Sequence, residues 1–265
     1  MAYQNPAFYF YHNARESQDA RGVPAPTASS GFSLFDDRQG EVFAFEAMGD
    51  DILLSDRVQN ATNDAVDTLI VSGHNWNGLD VRVRALIKGD EGNNPQVMRA
   101  LATIIEADGV PIIMPLTPAL SDPWDEFEIK VEAPASLAEL TEMMFTTKRE
   151  LTRGPEPNWQ HPWARTQRQF LSEGGVSSTW ITGANRKRYR LTWRHLVGAD
   201  RQVFLDLREQ SDGWSRPFFF RPPDDTYDTI LMELDRDSDW VQDFDSPLDS
   251  GTSDAITMPL IEVLG

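Results

Sequence analysis

The chain has no cysteine among its 265 residues, and its four histidines are scattered. Without thiols there is no disulfide framework and no thiolate metal site, which fits assembly in a reducing compartment. His12, His74, His161 and His195 each sit in a turn, a proline-rich stretch or a strand end, so none is placed to activate a nucleophile. GxSxG, HExxH, P-loop and GxGxxG patterns are all missing, and with them the local signatures of acyl transfer, zinc proteolysis and nucleotide binding. No apolar run approaches the about 18 residues that a membrane span requires. Met1 to Asn5 does not read as a signal peptide. The expectations are therefore no catalytic residue, no cofactor, no metal and no membrane insertion.

Charge is abundant but lopsided. There are 42 Asp and Glu against 24 Lys and Arg, a formal net charge of −18. Such a surface repels phosphates and argues against nucleic acid as a partner. Lys148 to Arg201 reverses the sign, with 11 Lys and Arg against 4 Asp and Glu. A basic girdle in an acidic body suits an acidic neighbour, another copy of the chain included.

The length suits two modest domains. Residues 1–31 read as an N-terminal arm: the aromatic run Phe8-Tyr9-Phe10-Tyr11 leads a polar tether that contains Pro and Ser. Residues 32–150 read as β-structure. Gly40 to Phe45 alternates, and Val66 to Val71 is an apolar run. Thr68–Val71 and Leu79–Ile87 suggest a hairpin around Ser72-Gly73-His74-Asn75-Trp76-Asn77-Gly78. Within Asn94 to Met114 two readings stand. Asn94-Pro95 with Val97, Met98, Leu101, Ile104 and Ile105 suits a capped helix, while Asp108-Gly109 suits a hairpin turn. Residues 151–174 hold three prolines and two tryptophans near their start and read as an extended linker.

Residues 175–265 carry the clearest pattern. Tyr189, Leu191 and Trp193 alternate with Arg188, Arg190, Thr192 and Arg194, as in a half-buried strand. The period then changes: Gly198 and Asp200 open a helix whose apolar positions are Val203, Phe204 and Leu207. Asp212-Gly213 stops it. Pro217 to Phe220 is a buried strand ending at Pro222-Pro223, and Ile230–Leu234 and Ala255–Leu264 are two more.

The run RKRYRLTWRHL, the helix GADRQVFLDLREQ and the strand PFFFRPPDD together resemble a C-terminal module of tailed-bacteriophage virion proteins, of the minor tail and tail-tip type. LTRGP at the junction recurs in the same proteins. The segments LFDDRQGEVFAFEA and DTLIVSGHNWNGLDVRVRAL, with Trp124–Val131 as a closing strand, are similar to discoidin-like jelly-roll modules of phage virions. That second resemblance selects the hairpin over the helix for residues 94–114. The implied fold class is mainly β: a jelly-roll-like β-sandwich, then a second β-rich domain with one short helix. The implied function is a structural component of the virion, at the tail tip or baseplate, assembled in the host bacterial cytoplasm. The partners would be other copies, in a ring or trimer, and neighbouring virion proteins. A host-recognition module that binds a surface glycan and a capsid decoration protein are the alternatives.

Three sets of residues become candidates. Phe8, Tyr9, Phe10 and Tyr11, with Arg186, Arg188, Arg190 and Arg194, are expected at assembly interfaces. His74, Asn75, Trp76 and Asn77 combine amide groups with an aromatic face, as a sugar site would. Asp235, Asp237, Asp239 and Asp243 follow the spacing of a calcium loop, but Trp240 and Ser246 occupy the positions that need Gly and Glu. A solvated acidic loop is the better reading.

Overall fold

The computed structural model describes residues 5–11, 19–23, 43–44, 51–56, 66–86, 96–107, 110–120, 126–132, 138–156, 163–171, 177–196, 198–210, 216–223, 229–235, 242–243 and 254–263. Its elements, numbered along the chain, are strands plus a single helix among the described residues. The fold is mainly β, as expected.

One ten-stranded sheet dominates. Its order is β12 (Trp163–Leu171), β13 (Ser177–Leu196), β17 (Asp254–Glu262), β15 (Ile230–Leu234), β14 (Phe218–Arg221), β1 (Ala7–Tyr11), β11 (Glu142–Glu150), β5 (Val66–Ser72) and β8 (Ile112–Leu120). The short β16 (Gln242–Asp243) pairs with β17 off this path. A five-stranded sheet runs β2 (Asp19–Val23), β4 (Asp51–Asp56), β9 (Glu126–Val131), β6 (Asp80–Leu86) and β7 (Gln96–Thr103). A two-stranded ribbon joins β3 (Phe43–Ala44) to β10 (Glu139–Leu140).

Alternation explains the layers. The five-stranded sheet packs on the β5, β8 and β11 part of the long sheet, burying Leu69, Val71, Val81, Val83, Met114, Ile129, Val131 and Phe145 between them. At the other end, α1 (Gly198–Gln210) lies over β1 and β13, where Phe204 meets Phe8 and Trp193, and Val203 and Leu207 join the same buried cluster. In the ladder Tyr189, Leu191 and Trp193 stand opposite Leu260, Met258 and Ile256, so their buried faces coincide. The Asp200 carboxylate, in the first helical turn, accepts hydrogen bonds from the Thr152 amide (2.8 Å) and hydroxyl (2.7 Å). The helix start is thereby tied to the chain that follows β11.

Four expectations change. First, the aromatic run is no free arm: β1 is a central strand, paired with β11 on one side and β14 on the other. Ala7, Phe8 and Tyr9 are buried because both faces of β1 are covered. Phe8 packs among Phe220 (5.0 Å between ring centroids), Phe204 (5.6 Å), Phe218 (5.8 Å) and Trp193 (6.2 Å). Tyr9, one residue on, enters a separate cluster on the reverse face with Ile70, Met144, Phe219 and Leu231.

Second, β5 and β6 form no hairpin, since β5 belongs to the long sheet and β6 to the five-stranded one. The loop of residues 73–79 is an arch between layers. Third, Gln96–Thr103 is a strand rather than a helix, yet it makes no hairpin with β8: β7 pairs with β6, and β8 with β5. Fourth, the linker is not wholly a linker. Leu151 is buried and donates its amide to the Pro6 carbonyl (3.0 Å), the Glu156 amide reaches the Thr192 carbonyl (2.8 Å), and Trp163–Leu171 is strand β12. Residues 12–18 and 24–31 of the expected arm lie outside the described residues.

A polar seam closes around β1. Arg221 donates to the Asn5 carbonyl (2.9 Å) and pairs with Glu150 (3.4 Å), which also pairs with Lys148. The Lys148 hydrogen bond is the main reason the Glu150 carboxyl lies below its usual range, with the charges of Lys148 and Arg221 adding to it against burial.

Two outcomes follow from this seam. Phe8→Ala opens a cavity in a closed aromatic cluster and should cost about 3–5 kcal/mol in chemical denaturation; a free arm would give almost none. Burial also pushes the Tyr9 phenol above its ordinary value. Its contribution to stability is complete below pH about 10 and declines as pH rises through the higher folded value. Tyr9→Phe should therefore flatten part of the alkaline loss of stability, read from melting temperatures on either side of pH 10.

Candidate functional site

The loop between β5 and β6 was the sharpest sugar-site candidate, and its geometry is that of a scaffold. Gly73 has φ +62°, and a Cβ there would meet the Thr141 Oγ1 at 2.1 Å, so no larger residue fits. His74 is buried, 2% exposed. Its Nε2 lies 2.7 Å from the Val110 carbonyl, and its Nδ1 is 3.1 Å from the Trp76 amide nitrogen. A carbonyl only accepts and an amide N–H only donates, so the ring is the neutral tautomer with its proton on Nε2.

Asn75 bridges to the other end of the module. Its Oδ1 accepts from the Glu139 amide (2.9 Å) and its own amide donates to the Glu139 carbonyl (3.3 Å). Trp76 is fully buried in the core between the sheets, where no ligand can stack on it. The expectation of a sugar platform on His74, Asn75 and Trp76 is corrected: burial and backbone hydrogen bonding already occupy them. Asn77 is the exposed member, and its amide nitrogen donates to the carbonyls of Glu106 (2.7 Å) and Ile105 (3.3 Å).

The basic strand is also partly spoken for. The two ladders of β13 follow one another, β12 pairing as far as Lys187 and β17 from Arg188 onward. Arg188 forms an ion pair of 2.9 Å with Asp235, whose side chain is 5% exposed. Arg194, 62% exposed, pairs with Glu156 at 3.2 Å. Arg190 is exposed and Arg186 half-buried. The expectation that Arg188 docks on a neighbouring copy is corrected, because its carboxylate partner is in the same chain. Asp235 itself is buried and not solvated, and its backbone amide donates to the Pro259 carbonyl (2.9 Å). Asp237 and Asp239 lie outside the described residues. Of the aromatic run, Phe8 and Tyr9 are core residues, while Phe10 and Tyr11 continue the ladder opposite Thr147 and Thr146.

What the sequence reading missed is an apolar ridge. Met98 (41% exposed), Leu101 (65%) and Ile105 (83%) are the large apolar side chains most open to solvent among the described residues. On β7 the inward positions are taken by Ala100 and Ala102, which pack against the core. The signal was available as Ala100 and Ala102 alternating with Leu101 and Thr103, with the small residues inward and the larger ones outward.

No family model matches the chain, and no curated protein does either. Among solved structures it is similar to a family 32 CBM from C. perfringens NanJ in complex with galactose. The identity is 11% and the TM-score 0.41, over 53% of this chain and 99% of that one. An F5/8 type C domain from Bacteroides fragilis gives 13% identity and a TM-score of 0.36, over 52% and 97%. A fucolectin from striped bass (Morone saxatilis) serum gives 13% and 0.36, over 71% of each chain. None of the three is a virion protein. At this level of likeness, what they bind does not carry over.

If Trp76 is a core residue, Trp76→Ala should destabilise the protein by about 3–5 kcal/mol in urea denaturation. A sugar-stacking tryptophan would instead leave stability unchanged.

Proposed function

We propose that this chain is a non-catalytic structural component of a tailed-phage virion, positioned at the tail tip or baseplate. It is assembled in the host cytoplasm and acts through contacts with its own copies and with neighbouring virion proteins. The observation that supports the reading is the continuity of the long sheet. The two stretches that resemble virion modules, residues 32–150 and 175–265, are joined through β1 by backbone ladders on both sides. A slab of that kind passes load through many parallel hydrogen bonds, where a flexible linker would yield. Its contact surface on the C-terminal half is the Arg190 and Arg194 face of β13, with Arg188 withdrawn into its pair with Asp235.

Glycan binding is the second reading. On this chain it falls to Asn77 and the open side of its loop, the exposed part of the original candidate. Immunogold electron microscopy of virions, using antibody raised against this chain, separates the readings. Label at the tail tip is expected. Label over the capsid would indicate a decoration protein, and unlabelled virions together with a positive glycan array would replace the virion reading with the second one.

A further inference from the structure

Among the described residues the long sheet ends in β8 and β12, and the five-stranded sheet in β2 and β7. An open edge offers unpaired amides and carbonyls to any extended chain, and proteins guard such edges with prolines or bulges. Two of these four are guarded. β8 carries Pro115 and Pro118, and β7 carries a bulge at Arg99. The other two are not. Neither β12 nor β2 contains a proline. The β2–β4 ladder runs without a shift, and the irregularity between β12 and β13 sets residues 182–184 of β13 against Thr166 alone, so the extra residues are on β13.

β12 also lacks a second neighbour. β17 pairs with β13 only from Arg188 onward, so β12 and residues 177–187 extend past it as a two-stranded ribbon among the described residues. Two strands alone are marginal in water, and a third stabilises them. The two unguarded edges are opposite in charge. β12 and β13 hold seven Lys and Arg and no Asp or Glu, in a chain with 42 of the latter. β2, β4 and β9 hold five Asp and Glu against Arg21 and Lys130. Their register sets Asp19, Asp56 and Glu126 in one row that starts at the β2 edge. Arg21 and Glu128 share the row two residues along and offset each other. Like charges directly opposite one another are unfavourable, so the first row gains from a cation brought alongside.

We propose that the β12 edge of one copy of this chain adds to the β2 edge of the next, bringing Arg165 and Arg168 against the row of Asp19, Asp56 and Glu126. An open ladder selects a polypeptide, since nucleic acid has no backbone amides to pair, and the basic ribbon selects an acidic one. The unguarded edge with that chemistry is on the same chain. Donor and acceptor edges are different surfaces, so the contact is heterologous and propagates from copy to copy into a ring or an open chain. It rests on the part of the virion reading that puts copies in contact, not on a tail position.

Sedimentation velocity of the purified full chain over rising concentration should show a monomer passing to species larger than a dimer. Added salt should shift them back, because exposed charges are screened. Arg165→Glu with Arg168→Glu should weaken association by about tenfold or more, as like charges brought together do, with an unchanged melting temperature. A second variant, with Asp19→Lys, Asp56→Lys and Glu126→Lys, should weaken it as well. Mixed one to one, the two variants should associate again, because each ribbon then meets a row of opposite sign, and that recovery shows both to be folded. A wild type that stays monomeric or stops at a dimer, variants that associate as the wild type does, or a mixture that does not recover would overturn the proposal. None of these results changes where antibody labels the virion, so the two readings fail separately.

Discussion

The structure depends on a strand of five residues. β1 fills the slot between β11 and β14, and without it those strands would face each other as two open edges with unpaired amides and carbonyls. Its side chains alternate across the sheet, so Phe8 completes the aromatic core under α1 while Tyr9 completes the cluster on the reverse face. Backbone ladder and both cores are thus committed in one step. The contacts are far apart in sequence, and that ordering has a kinetic meaning. The first strand cannot find its final place until β11 and β14 exist, a high contact order that slows folding.

Much of this was legible at the level of elements. The switch from alternation to a helical period at Gly198 was readable because Val203, Phe204 and Leu207 change spacing there, and α1 begins at that glycine. Alternation also identified Tyr189, Leu191 and Trp193 as the inward face. What alternation does not encode is which sheet a strand joins. β5 and β6 read as a hairpin because they are neighbours in sequence with a glycine-bearing turn between them. An arch between layers has the same local chemistry, and the choice is made by the distant β8 and β9.

The candidate site failed for the same physical reason. An aromatic ring beside amides suits a sugar, but it also suits a loop pinned in place by remote backbone. The decisive partners of His74 and Asn75 are Val110 and Glu139, which nothing near residue 75 reveals. Arg188 reads as a free cation until β15 delivers Asp235 beside it. A buried carboxylate needs such a partner, since its desolvation is costly when left unmatched. The pair is therefore better read as a structural requirement of Asp235 than as a docking site.

Once those commitments are removed, the surfaces left over lie far apart in the architecture. The Arg190 and Arg194 face belongs to β13, in the half of the long sheet covered by α1. The Met98–Leu101–Ile105 ridge belongs to the five-stranded sheet, which covers the opposite half. They differ in chemistry as well: guanidinium groups in solvent give steering and weak individual contacts, whereas exposed leucine and isoleucine give adhesion that salt does not screen. Because β1 fuses the two halves, neither surface can shift against the other without breaking a ladder on one side of that strand. Two chemically unlike surfaces are thereby held at fixed geometry by one strand of five residues.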